Sequence, residues 1–114
     1  MTVPTPPRGS QRAGRRLWRS VVNDFELAQH ERVLLEQAVR VLDTCEELQV
    51  LVARDGSMVD GRPNPALIEL RQERVLLGRL LAALRVPVGA EDEQPGRLQR
   101  RVGFRGVYVK GGAA

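Results

Sequence analysis

The longest uninterrupted pattern of apolar positions runs from Ala28 to Arg54. Within it, apolar side chains recur in alternating steps of four and three residues, which places them along one side of a helix. No glycine or proline interrupts this stretch. At about 1.5 Å per residue the helix would be roughly 40 Å long, so we expect it to need a partner helix. The apolar positions are Leu34, Ala38, Val41, Cys45, Leu48 and Val52.

A second amphipathic stretch, from Pro65 to Arg85, supplies that partner. Asn64 followed by Pro65 is a typical helix start, with a capping side chain and a proline at the first helical position. The segment between the two stretches contains Gly56 and Gly61 and predicts a turn, with a brief hairpin around residues 58–62. The apolar side of the second stretch comprises Leu67, Leu70, Leu77, Leu80, Leu81 and Leu84.

These patterns predict an all-α fold. It consists of a short N-terminal helix and a long antiparallel helical hairpin, with flexible basic tails at both ends. We expect helices at about 14–22, 28–54 and 65–85 within a helical domain spanning residues 14–88. Prolines in residues 1–13 predict a disordered basic arm, and residues 89–114 predict an acidic linker followed by a basic tail rich in Gly and Arg.

Four packing expectations follow from the same patterns. Trp18, the only tryptophan, should anchor the short helix against the long one. Cys45, the only cysteine, should be a buried seam residue. Gly78 suggests close approach of another backbone. Ion pairs should fix the register of the hairpin, with Glu46 and Glu47 opposite Arg71 and Arg74.

Charge is distributed unevenly along the chain. The net charge is +4, but residues 1–19 contain five arginines and no acid, and residues 97–110 contain five bases and no acid. Residues 20–54 instead hold seven acids and three arginines. Basic ends favour a polyanionic partner, because cations placed near phosphates release counterions. The alternative is that the ends are simply solvated.

Catalytic chemistry has few candidate residues in this sequence. The single histidine, His30, and single cysteine provide neither a zinc set nor a nucleophile with its base. The only lysine, Lys110, does not belong to a phosphate-binding loop. We therefore expect a protein that is not an enzyme and that uses no metal or cofactor. No stretch is apolar enough for a membrane span or signal peptide, which predicts a cytoplasmic protein.

The order and spacing of several short motifs resemble the small terminase subunits of tailed phages, particularly those of actinobacterial phages and prophages. The resemblance covers roughly residues 14–110. Two positions depart from the family pattern: Asn64 stands where a histidine is usual, and Ala28 where a capping residue is common. The motifs are Gly14-Arg15-Arg16-Leu17-Trp18, Phe25-Glu26-Leu27, Glu31 with Leu34-Leu35, Asp43, Gly56 and Gly61, Asn64-Pro65-Ala66-Leu67 with Glu69 and Arg71, Arg79-Leu80-Leu81-Ala82-Ala83-Leu84, and Pro87.

The resemblance implies a non-catalytic component of the viral DNA-packaging motor, acting in the cytoplasm of the host cell. Such subunits form oligomeric rings, recognise double-stranded DNA, and recruit the large terminase subunit that carries the ATPase and nuclease. For this chain we expect phosphate contacts first from the arginines of the short helix and then from those of the tail. The tail could instead bind the large subunit. The candidate DNA-binding residues are Arg12, Arg15, Arg16, Arg19, Arg97, Arg100, Arg101 and Arg105.

The hairpin has more apolar positions than one seam requires, and these predict contacts between adjacent subunits. The candidate oligomer interface comprises Leu35, Val39, Leu42, Leu76 and Leu80.

Two other classes of function are open. One is a helical protein-interaction adaptor without DNA function, whose apolar stripe grips a partner helix. The other is a helix-turn-helix regulator within residues 14–40, which fits less well because Val33, Leu34 and Leu35 occupy the middle of its recognition helix.

Overall fold

The computed structural model describes residues 3–85 and the two strand residues 99–100, and it confirms the predicted all-α class. Helix α1 spans Arg12–Val22, α2 spans Gln29–Asp55 and α3 spans Pro65–Leu84. The linker at 89–96 and most of the basic tail lie outside the described residues. The helices begin or end within one or two residues of the predicted positions.

The long hairpin of α2 and α3 is held by a hairpin core of Val41, Cys45 and Leu70. Leu48, Val52, Leu77 and Leu80 pack around it. The residues from α2 belong to the predicted seam, and burial of Cys45 is confirmed. Each apolar side chain removed from water contributes about 1.5–3 kcal/mol to stability.

Helix α1 packs across the hairpin at the end where α3 finishes. Its indole, Trp18, is only 1% exposed and lies with Leu35 and Val39 of α2 and Leu84 of α3, as expected for an anchor. We call this cluster the docking core; it comprises Trp18, Val21, Val22, Phe25, Leu35, Val39 and Leu84.

A rigid turn joins α2 to α3. Asn64 is buried, and its side chain accepts from the Ala66 amide (2.9 Å) and donates to the Gly56 carbonyl (2.8 Å). Strands β2 (Met58–Val59) and β3 (Arg62–Pro63) form the expected hairpin, antiparallel, between these positions. Asp60 and Gly61 both have positive φ at its tip, which is the conformation of a two-residue hairpin turn.

A second short ribbon adds β structure that the patterns did not predict. Strand β1 (Phe25–Glu26) lies in the α1–α2 connection and pairs antiparallel with β4 (Gln99–Arg100). The backbone of Arg100 is therefore opposite Phe25, so this part of the predicted tail is strand.

The expectation of a disordered arm over residues 1–13 needs correction for residues 3–11. They form no helix or strand, but the Pro4 carbonyl accepts from the Trp18 indole N–H (2.9 Å), and Ser10 N–H donates to the Pro7 carbonyl (3.1 Å). Arg15 also donates to the Ser10 carbonyl. The bonds from Trp18 and Arg15 hold the segment against α1, and Arg12 and Ala13 already belong to that helix.

Candidate nucleic-acid interface

The basic face of α1 consists of Arg12, Arg16 and Arg19, spaced by four and three residues. This spacing places the three side chains on one side of the helix, and all three are exposed. Although Arg54 and Asp55 form an ion pair elsewhere, no carboxylate of the described residues is paired with any of these guanidinium groups. Three exposed cations on a docked helix can contact successive phosphates.

Arg15 belongs to the same helix but has a different environment. It is half-buried, and its guanidinium donates to the Ser10 carbonyl. Its role in the described structure is to hold the N-terminal segment against α1. Of the four predicted arginines on this helix, the structure therefore brings three together on the open surface.

The first turn of α1 is held by a carboxylate from α2. Asp43 accepts hydrogen bonds from the backbone amides of Gln11 and Gly14, each at 2.7 Å, and is only 7% exposed. The side chain of Gln11, at the N-cap, makes no capping bond and instead donates to Glu47 (2.8 Å). Asp43 thus supplies the cap that the helix's own sequence lacks.

Gly14 allows this contact because it has no side chain. A Cβ atom built there would lie 2.5 Å from Asp43 Oδ2 and 2.7 Å from Val39 Cγ1. Both distances are shorter than real Cβ contacts, so α1 and α2 approach more closely than any other residue would permit. Sequence reasoning used Gly14 and Asp43 only as family motifs and did not connect them.

An open cleft lies between the basic face and α2. Arg12, Arg16, Asp43 and Glu46 line it together with Gln11 and Ala13, and its volume is about 180 Å³. Two guanidinium groups and two carboxylates therefore lie side by side in the cleft, but no ion pair forms among these four groups. The surrounding acids limit anion binding inside the cleft, so phosphates are better accommodated on the outer side of the arginines.

The tail arginines are only partly placed by the structure. The backbone of Arg100 lies in β4, whereas Arg97, Arg101 and Arg105 lie outside the described residues.

The predicted oligomer interface needs correction. Leu35 and Val39 are both fully buried in the docking core, because they pack against α1 of the same chain. They have no surface to offer a second subunit. Leu42 and Leu80 are half-buried, and Leu76 is exposed.

The outer side of α3 carries apolar residues that the prediction missed. Ile68 and Val75 are 46% and 55% exposed and lie seven residues apart, which places them on one side of the helix. That spacing was present in the sequence, but the buried leucines of α3 formed the stronger pattern.

The predicted ion pairs of the hairpin are absent among the described residues. Arg74 donates to Gln49 (2.7 Å), and Glu47 accepts from Gln11 instead of facing a cation on α3. The expectation for Gly78 was also wrong, since a Cβ atom there would meet no atom of the described residues within 4 Å. Apolar packing, rather than these charges, sets the register of α2 on α3.

Other kinds of site have little support in the described part of the chain. No group of three or more His, Cys, Asp or Glu residues there could hold a metal ion. None of its helices is long and apolar enough to cross a membrane. A scan against protein-family models and searches of curated proteins and of solved structures found no match.

Proposed function

We propose that this protein is a small terminase subunit. In this role it is a non-catalytic component of a viral DNA-packaging motor that binds double-stranded DNA and recruits the large ATPase and nuclease subunit. The observation that carries the proposal is the row of exposed guanidinium groups on α1, at Arg12, Arg16 and Arg19, which form no ion pair with any described carboxylate. Arginine forks match phosphate geometry, and a docked helix presents them at fixed spacing.

Salt dependence of DNA binding tests this role. Replacement of Arg12, Arg16 and Arg19 by Gln should weaken binding to a duplex. It should also reduce the slope of log K against log salt by up to about 0.9 for each phosphate that is no longer neutralised. Fluorescence anisotropy at several salt concentrations measures both quantities.

A matched control removes the same charge elsewhere. Arg62, Arg71 and Arg79 are also exposed, so their triple replacement by Gln lowers the net charge equally without touching α1. We expect this control to keep most of the salt slope. An equal decrease in the two triple variants would show that net charge, rather than the basic face, governs binding.

The proposal includes assembly into an oligomeric ring. Of the remaining predicted residues, Leu42 and Leu80 are half-buried, whereas Leu76 is exposed and, with the exposed Ile68 and Val75 of α3, offers apolar surface to a second subunit. A closed ring would multiply weak contacts from each basic face into avid DNA binding. The tail remains a second candidate for DNA contact or for contact with the large subunit.

Light scattering after size-exclusion chromatography tests assembly. Val75→Asp should dissociate the oligomer, because it places a charge in the apolar contact. Met58→Asp is the matched control, since Met58 is equally exposed at 55% but lies on β2. A wild-type protein that elutes as a monomer at low and high salt, with and without duplex DNA, would contradict the ring.

A helical adaptor without DNA function is the second candidate. The exposed apolar residues of α3 favour it, because such a surface can also bind a partner helix. Partner binding that is insensitive to salt, combined with no affinity for duplex DNA, would distinguish the adaptor from the packaging subunit.

A further inference from the structure

The helix that carries the basic face is too short to be stable without contacts to the rest of the protein. Helix α1 has 11 residues, whereas isolated helices shorter than about 12–15 residues are marginal in water. Its orientation therefore depends on contacts with α2 and α3. The docking core fixes its apolar side, and Asp43 fixes its first turn.

The Asp43 contact lies beside the basic face, because Asp43 lines the cleft together with Arg12 and Arg16. The two amides that it binds, those of Gln11 and Gly14, flank Arg12 in the chain and occupy the turn before Arg16. Both hydrogen bonds have an ionised acceptor, so they are stronger than bonds to a neutral group. Removal of the Asp43 carboxylate would free this turn while leaving the docking core in place.

We propose that Asp43 is a positioning residue of the DNA interface. It holds the first turn of α1 on α2 and thereby aims Arg12 and Arg16 at the duplex. This inference rests on the proposed DNA-binding function. According to this proposal, the buried Asp43 carboxylate favours DNA binding although it has the same sign of charge as the DNA.

The same contact limits which groups of α1 can bind phosphates. Free amides at a helix N-terminus commonly bind anions. In α1 the amides of Gln11 and Gly14 are already bonded to Asp43, so these two amides do not contact phosphates.

Charge and positioning predict opposite effects for one substitution. Asp43→Asn removes a negative charge beside Arg12 and Arg16, which by electrostatics alone should tighten DNA binding. If Asp43 positions the helix, the same change should weaken binding, because Asn cannot provide two charged acceptors. The sign of the change therefore separates the two roles.

The experiment measures duplex affinity by fluorescence anisotropy for wild type, Asp43→Asn, Gly14→Ala and Glu46→Gln. Circular dichroism confirms folding at the temperature used. We expect Asp43→Asn to bind roughly threefold to tenfold more weakly, a loss of about 0.7–1.4 kcal/mol of binding free energy. Gly14→Ala should also weaken binding, because its Cβ separates α1 from Asp43 without altering charge.

Glu46→Gln is the matched control. Glu46 lines the same cleft but makes none of the described hydrogen bonds to α1, so removing its charge should leave affinity unchanged or tighten it. Tighter or unchanged binding by Asp43→Asn, together with unchanged binding by Gly14→Ala, would overturn the positioning role. A wild-type protein with no duplex affinity at low salt would overturn the proposed DNA function itself.

A measurement on the wild type covers the case in which the variants do not fold. The Gly14 amide should remain protected from hydrogen exchange when duplex DNA is added, while the signals of the Arg12 and Arg16 side chains shift. Loss of protection at Gly14 would mean that a phosphate displaces Asp43, which would overturn the proposal.

Discussion

Gly14 and Gly78 both lie in helices, but only Gly14 lies where a side chain would not fit. At Gly14 an added methyl group would collide with Asp43 and Val39, whereas at Gly78 it would meet no described atom within 4 Å. Glycine in a helix interior costs about 1 kcal/mol relative to alanine. Only at Gly14 does close packing offset that cost.

We therefore predict opposite stability changes for the two alanine substitutions. Gly78→Ala should raise the free energy of unfolding by about 1 kcal/mol, because the helix gains propensity without a clash. Gly14→Ala should lower it, since the collision at 2.5 Å forces α1 away from α2. Urea denaturation followed by circular dichroism measures both. A destabilised Gly78→Ala variant would indicate that this surface is covered in solution.

Because of Cys45, the stability of the protein should depend on pH in the alkaline range. Burial in the hairpin core, followed by the nearby Glu73 charge, raises the pKa of this thiol above its ordinary value. Below the pKa of the unfolded thiol, about 8.5, both states keep the proton and stability is unaffected. As pH rises above that value the unfolded chain ionises first, so the free energy of unfolding should fall until the folded pKa is reached.

Comparison with Cys45→Ala isolates this effect. The alanine variant loses some packing at every pH, but it should lack the additional decline above about pH 8.5. Urea denaturation from about pH 7 to 10, a range that brackets the ordinary thiol pKa, gives the two curves. Parallel curves would show that the thiol ionises equally easily in the folded and unfolded states.

At the scale of elements, the turn between α2 and α3 depends on Asn64. One buried side chain caps α3 through Ala66 and ties the end of α2 through the Gly56 carbonyl, while its backbone amide donates to the Ser57 carbonyl (2.9 Å). Replacement by alanine leaves the groups bonded to the side chain without partners. The turn thus couples the two helix ends through a single residue.

Asn64→Ala should lower the free energy of unfolding by about 1–3 kcal/mol. Asn64→Asp retains the acceptor for Ala66 but not the donor to Gly56, so its destabilisation should be smaller. Urea denaturation ranks the three proteins. Equal destabilisation in both variants would show that the bond to Gly56, rather than the cap, carries the effect.

Local patterns predicted much of this architecture, while contacts between distant residues escaped prediction. The cap at Asn64 and the seam through Cys45 follow from neighbours a few residues away. The pairing of Gly14 with Asp43 joins positions 29 residues apart, and no periodicity reveals it. The burial of Leu35 and Val39 similarly depends on where α1 lies, which the helical pattern of α2 alone does not specify.

At the scale of the whole molecule, charge is distributed unevenly among the described helices. Helix α1 has four arginines and no acid, α2 has six acids and three arginines, and α3 has three arginines and two acids. Since the predicted ion pairs between α2 and α3 are absent among the described residues, exposed arginines of α3 should matter little for folding. Apolar contacts carry the tertiary structure.

Leu84 should therefore be among the most sensitive positions. It is 2% exposed and is the only member of the docking core contributed by α3. Leu84→Ala should cost about 2–5 kcal/mol and loosen α1. Red-shifted emission from Trp18 at low urea concentration would report this loosening. Unchanged emission together with full stability would show that α2 alone holds α1.

The position of Leu84 also has a consequence for synthesis on the ribosome. Trp18 is translated early, but its docking core is completed only when the last residue of α3 has emerged. At roughly 5–20 residues per second, several seconds pass between the synthesis of Trp18 and that of Leu84. During that interval the N-terminal helix of a nascent chain is free to meet another nascent chain on the same messenger RNA.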